Sequence, residues 1–211
     1  MSGYLLDEPM ESALVQAAEV LEKLPFTCMV GGSSGLLLQG VELEVRPRDI
    51  DLYVDMRHAD QVHSQLKPYA TDEPQFSETA MYSSRLSHYK LNGMVLELVG
   101  GFCVKSGGSS YEIRIEGGLD AYGTVQSVGT RSLMVMPLAH EFVFNILRNR
   151  PDRYIPIAKA MNEAPAFHHG ALTWIVEHNH FNEQHIAAMK ELVHAVYNSE
   201  GVSHAQSRLF T

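Results

Sequence analysis

A chain of 211 residues, 45% of them hydrophobic and 19% charged, is long enough to bury a substantial core. Its formal charge of -9 and its lack of any lysine-arginine run argue against a polynucleotide substrate, because proteins that track a phosphate backbone need a basic footprint. No apolar stretch approaches membrane-spanning length, and Asp7, Glu8 and Glu11 stand where a signal peptide would carry basic residues, so a cytoplasmic protein without a membrane partner is expected.

In chain order, apolar spacing over 10–24 predicts an opening helix that ends before Pro25. Residues 26–30 read as a buried strand, Gly31-Gly32-Ser33-Ser34 as its turn, and 35–39 as the opening of a short helix. A strand follows at 49–55 and a helix at 59–66, while 69–79 is polar and reads as a loop. The Asn92-Gly93 pair predicts a hairpin between strands at 84–91 and 94–99, with further strands at 111–115 and 132–136. Helices then dominate, at 137–149, 152–162, 167–178 and 182–198. The expected fold is α/β or α+β: a mixed sheet flanked by helices over 1–136, then a helical C-terminal part over 137–211. That part either packs on the functional face to shape an acceptor pocket or mediates homodimerisation.

The chemistry concentrates in two places. A glycine turn leaving a strand can offer backbone N–H groups to a phosphate at a helix N-terminus, with Ser33 and Ser34 as the nearest hydroxyls. In Asp49-Ile-Asp-Leu-Tyr-Val-Asp55, alternation places Asp49, Asp51, Tyr53 and Asp55 on one strand face and Ile50, Leu52 and Val54 on the other. Adjacent carboxylates repel unless a cation lies between them, and Mg2+ is the hard, oxygen-seeking candidate. Glu97, the only charge in Met94-Val-Leu-Glu-Leu-Val99, is a third carboxylate in need of partners. It serves either the metal or an ion pair with Arg85 or Arg114. An ordinary turn and a solvent-facing edge strand would explain each motif singly, but not their succession.

These motifs resemble the nucleotidyltransferase superfamily related to DNA polymerase beta, whose hallmark reads here as Val30-Gly31-Gly32-Ser33 followed by Asp49-Ile50-Asp51-Leu52. The Arg46-Pro-Arg-Asp-Ile-Asp approach is similar to small bacterial branches, which include antibiotic nucleotidyltransferases and nucleotidyltransferase-like toxins and antitoxins. The resemblance implies that Gly31, Gly32, Ser33, Ser34 and Arg48 bind nucleotide and that Asp49, Asp51 and Glu97 hold metal and perform catalysis. It departs from the family in two respects. The gap from Ser33 to Asp49, which contains Glu42 and Glu44, is longer than usual, and Asn145 stands where a lysine is expected, with Arg148, Arg150 or Arg153 as substitutes.

The implied activity is transfer of a nucleoside monophosphate from an NTP, ATP in the first instance, to a hydroxyl of a small molecule, with Mg2+ as cofactor and release of pyrophosphate. The acidic balance suits a cationic acceptor such as an aminoglycoside. Two alternatives stand beside it: AMP transfer to a protein in the manner of a toxin or antitoxin, and an inactive member that binds nucleotide or a partner. Cys28 and Cys103 read as core thiols, not as a disulfide. His168, His169, His178, His180 and His185 lack the i, i+4 spacing of a helical zinc site and read as surface or capping groups. His140, a base in principle, reads as a packed helix residue, and Trp174 as core.

Overall fold

The computed structural model describes residues 6–199; the ends of the two expected parts, 1–5 and 200–211, lie outside them. Helix α1 (Glu8–Leu21) begins where Asp7 accepts a hydrogen bond from the Met10 N–H at 3.1 Å, a cap of the kind that contributes about 1 kcal/mol. Its buried residues Met10, Ala13, Leu14, Ala17 and Ala18 recur at helical spacing and so form one stripe toward the sheet.

The sheet has eight strands: β1 (Met29–Gly31), β2 (Asp49–Val54), β3 (Gln75–Glu78), β4 (Tyr82–Leu91), β5 (Met94–Ser106), β6 (Ser109–Glu112), β7 (Thr124–Val128) and β8 (Arg131–Val135). Seven run in the order β3-β4-β5-β2-β1-β8-β7, and β6 pairs with β5. The pairing is mostly antiparallel, with parallel contacts between β2 and β5 and between β1 and β8. The β4–β5 hairpin turns at Asn92 (φ 46°) and Gly93 (φ 88°), the two successive positive dihedrals that an Asn-Gly pair supplies.

Each face of the sheet has its own core. Ile50, Leu52 and Val54 pack with α1 and with α3 (Ala59–Leu66) on one face. Tyr53, Val99 and Phe102 pack with the C-terminal helices on the other, chiefly α4 (Leu138–Leu147), α5 (Pro151–Glu163) and α6 (Pro165–Glu177). Helices α7 (Glu183–Leu192) and α8 (His194–Tyr197) complete that layer. The helical part therefore covers the face onto which the aspartates of β2 project.

Several expectations are corrected. The short helix α2 (Gly32–Leu38) starts at Gly32, directly from the strand, instead of after a four-residue turn. Gly32 itself makes the reversal with φ +59°, so no separate turn is needed. Within 69–79 a short strand, β3, pairs with β4 through backbone bonds that polar side chains conceal from a hydrophobicity reading. Strand β7 was also missed, and the strand expected at 111–115 is centred earlier, as β6. The last helix is two, broken at Val193 (φ -123°, ψ 44°).

Candidate active site

Strand β2 lies between β5 and β1, which excludes the exposed-edge explanation of its aspartates. The register sets Gly31 opposite Asp51 and Asp51 opposite Glu97, so the glycine exit and both carboxylates form one row across three strands. Asp49 stands two positions earlier on the same face and is exposed. Asp55, expected to join them, turns away at the strand end and accepts hydrogen bonds from the Ile115 and Glu116 N–H groups at 2.9 and 3.1 Å.

The two glycines are explained by what approaches them. A Cβ on Gly32 would fall inside the Asp51 carboxylate, and its positive φ already disfavours other residues. A Cβ on Gly31 would meet the Tyr53 ring at 2.6 Å and Glu141 Oε1 at 2.8 Å. Gly31 thus provides space behind the site and is absent from the cleft lining; Gly32 and Ser33 line the cleft. Ser34 points inward instead. It is buried and donates to the Gly31 carbonyl at 3.1 Å, so it closes the helix start and does not face a phosphate.

Glu141, on α4, was overlooked in the sequence. The Gly32 N–H donates to its Oε1 at 2.6 Å, so the amide is not bare but held by a buried carboxylate. Burial raises the Glu141 carboxyl to about 7, against the hydrogen bond from Gly32 and the charges of Arg148 and Arg153. Asp51 is likewise raised to about 7, first by burial and then by Asp49, Glu141 and Glu97, with Arg148 opposing. A signal was available: Glu141 is the lone acid in Leu138-Ala-His-Glu-Phe-Val-Phe144, the same argument that singled out Glu97.

Glu97 does not pair with Arg85, which instead reaches Asp60 at 2.6 Å. Its Oε2 meets Nε2 of His88, its cross-strand neighbour, at 3.1 Å, and His88 Nδ1 meets Asp72 Oδ2 at 2.6 Å. This chain fixes the carboxylate from the side away from β2.

In front of the row lies a cleft of about 660 Å3. Arg46, Arg48, Arg148, Arg150 and Arg153 line it together with Asn145. Asn145 donates to the Glu141 carbonyl at 2.8 Å, so it serves its own helix. Arg148 lies over the Phe144 ring at 4.3 Å, and Tyr82, Phe102 and Phe144 form an aromatic wall. Nη1 of Arg153 is buried without a hydrogen-bond partner. Elsewhere His140 is fully buried, pushed down to about 3 by burial, and its Nδ1 meets the Tyr111 hydroxyl at 2.9 Å. His178 ends α6 and stacks on Trp174, which packs at the margin of the core. Cys28 and Cys103 are free thiols.

Among the described residues, no three His, Cys, Asp or Glu side chains converge into a ready-made metal cage. The donor set nevertheless fits a hard cation: Asp49 and Glu97 each add negative potential at Asp51, and Mg2+ commonly takes one or two carboxylates and completes its shell with water and phosphate. No helix among the described residues is long and apolar enough to cross a membrane.

The sheet order, with a carboxylate row beside a glycine-led helix, is that of a nucleotidyltransferase-like fold. Among solved structures, a candidate nucleotidyltransferase from Thermotoga maritima is similar over 77% of this chain and 99% of its own, at 20% identity and a TM-score of 0.62. The antibiotic-resistance factor ANT(2'')-Ia, solved in solution, is similar over 90% of this chain and 99% of its own, at 8% identity and a TM-score of 0.52. Such identities speak for the fold alone. No curated protein matches the chain. The model of the aminoglycoside-2''-adenylyltransferase family matches residues 13–138, more than half the chain, and the protein belongs to that family.

Proposed function

We propose that the protein transfers a nucleoside monophosphate, from ATP as the first donor to test, to a hydroxyl of a small molecule in the cytoplasm. The observation that carries this reading is the register that aligns Gly31, Asp51 and Glu97 while Asp51 packs against the Cα of Gly32. It joins a glycine-led helix start to a carboxylate row, and family membership supplies the reaction class.

In this reading Gly32 and Ser33 border the triphosphate, and Arg48, Arg148 and Arg153 offset its charge. Asp49 and Asp51, with Glu97, would hold Mg2+, which when bound would neutralise phosphate charge and acidify the acceptor hydroxyl. The acceptor oxygen forms its bond to the α-phosphorus as the bond from that phosphorus to the bridging oxygen breaks. Pyrophosphate leaves with that bond's electrons. Glu97, held through Oε2 by His88, receives the hydroxyl proton or completes the metal's ligands. Burial and neighbouring acids work against ionised Asp51, so a bound cation would stabilise its charged form. The arginines make good the missing lysine at position 145, so the departure at Asn145 gives no separate support to an inactive protein.

Calorimetric titration of ATP and GTP in Mg2+, repeated in EDTA and with Asp49→Asn/Asp51→Asn, tests the reading. Metal-dependent binding that the variant loses supports it. Absence of binding by either nucleotide rejects it.

A further inference from the structure

The carboxylate row divides the cleft. In the sheet order β3-β4-β5-β2-β1, the glycine-led helix start lies on the β1 side of Asp51 and Glu97, while β4 and β3 lie on the other side. Displacement at a phosphorus is roughly in line, so the acceptor oxygen approaches opposite the departing group. With the triphosphate bordered by Gly32 and Ser33, the acceptor enters over β5 and β4. There the register continues the face of Glu97 through Val99, Leu86, Ser84 and Ser77, all of which line the cleft.

Ser84 differs from the other buried serines among the described residues. Ser34 donates to the Gly31 carbonyl, Ser87 pairs with the Tyr89 hydroxyl and Ser109 with His185 Nδ1. Ser84 is only 3% exposed, yet its hydroxyl has no hydrogen-bond partner among the described residues. Buried polar groups are nearly always paired, so this one has a partner still to come. The backbone presents it there through a bulge. Ser83 pairs with Cys103 and Arg85 with Gly100, so β5 advances three residues where β4 advances two, and Ser84 stands opposite both Gly101 (φ 60°) and Phe102. Bulges of this kind re-aim side chains beside active sites. Leu86, Tyr82 and Phe102 line the cleft around Ser84, the two rings 20° from parallel with centroids 6.0 Å apart. Ser84 precedes His88, the cross-strand neighbour of Glu97, by four residues, roughly 13 Å along a strand. That separation exceeds a single sugar ring.

We propose that Ser84 determines acceptor specificity. The acceptor is a compound of at least two rings bearing hydroxyl or amino groups: its reacting hydroxyl lies at Glu97, and a polar group of a second ring bonds the Ser84 hydroxyl, with ring C–H faces against Leu86 and Phe102. A serine hydroxyl both donates and accepts, so it serves either kind of substituent. Ser84 binds and does not take part in the chemistry. The inference rests on the nucleotidyl-transfer reading and adds to it a subsite on the β4 side of the carboxylate row.

The test uses the full chain with Mg2+, as wild type and as Ser84→Ala. Calorimetry first establishes that both bind a non-hydrolysable ATP analogue alike. Pyrophosphate release from ATP is then followed with tobramycin, a multi-ring aminoglycoside, and with methyl glucoside, a single ring. The expected result is faster release with tobramycin than with methyl glucoside, and in Ser84→Ala a KM for tobramycin raised roughly 3–10-fold, the scale of one lost neutral hydrogen bond, with the KM for ATP unchanged. A wild-type KM for tobramycin in the variant, no release with tobramycin above background, or equal release with methyl glucoside overturns the inference while leaving nucleotide binding standing. Loss of analogue binding in Ser84→Ala alone also overturns it, by assigning the residue to the fold. Failure of the analogue to bind the wild type defeats the earlier reading instead.

Discussion

The N–H of Gly32 and the Oε1 of Glu141 meet at 2.6 Å although 109 positions separate them in the chain. This bond links the start of α2 to the buried middle of α4, so the helical part sets the position of the glycine-led opening. Glu141→Ala removes the acceptor and leaves a partly buried N–H unsatisfied, a loss of about 1–3 kcal/mol. Thermal unfolding should fall by several degrees, and nucleotide binding should weaken. Glu141→Gln keeps an acceptor oxygen and should retain most of the stability. If the Ala variant melts with the wild type, the bond has no structural weight.

Gly32 tolerates no side chain. Gly32→Ala combines a left-handed backbone, which costs roughly 1–2 kcal/mol for other residues, with a clash against the Asp51 carboxylate. The expected outcome is displacement of Asp51 and loss of Mg2+-dependent ATP binding, read by calorimetry. Gly93→Ala, at a positive-φ position with open space around it, is the control: it should cost stability but leave binding intact.

Asp51→Asn should lower turnover by roughly 10²–10³-fold, the scale of losing one preorganised group at a reacting centre. It should not unfold the protein, because the carboxyl is raised to about 7 by burial and its neighbours and the amide carries no charge to repel them. A folded variant with unchanged turnover would reject the metal-site assignment.

If Glu97 serves the reaction as proposed, His88 acts through it as a positioning residue. Removing a group that orients a ligand or base commonly costs about 10–100-fold, and the loss here should fall on kcat with little change in KM for ATP. His88→Phe and Asp72→Asn should behave alike, the second more mildly. Equal losses in kcat and KM would assign the pair to the surface structure of the β4–β5 hairpin.

Stability without added metal should decline above pH 6.5. Asp51 and Glu141 ionise near 3.8 and 4.5 when unfolded but at about 7 when folded, so their stabilisation is complete below the first values and lost as pH rises through about 7. His140 and His168, lowered from 6.5 to about 3 and about 4, act in the opposite sense: their stabilisation is present above 6.5 and lost toward acid pH. The two effects oppose each other between about 4 and 6.5. Above that range the carboxyls act alone, and between pH 6.5 and 8 the loss is on the order of 1–2 kcal/mol, a few degrees in Tm. Added Mg2+ should restore stability at pH 8, and Glu141→Gln should flatten the decline. A flat profile in differential scanning calorimetry would show that the two carboxyls ionise normally in the fold.

Local chemistry made much of the molecule legible in the sequence. Alternation in β2 located its aliphatic core face, Asn92-Gly93 located the hairpin, and the apolar surroundings of Glu97 marked it as a carboxylate in need of a partner, which His88 supplies. Each of these signals depends on a residue and its immediate chain neighbours, whose geometry has a fixed period. The tertiary structure alone decided that β2 is interior, that Glu97 stands beside Asp51, that Ser34 turns inward while Ser33 faces the cleft, and that Glu141 reaches Gly32. It also gathered arginines from the loop before β2 and from the end of α4 and start of α5 into the lining of one cleft. Those relationships are distances between segments far apart in sequence, set by the packing of α4 on the sheet, and periodicity along a single segment contains no record of them.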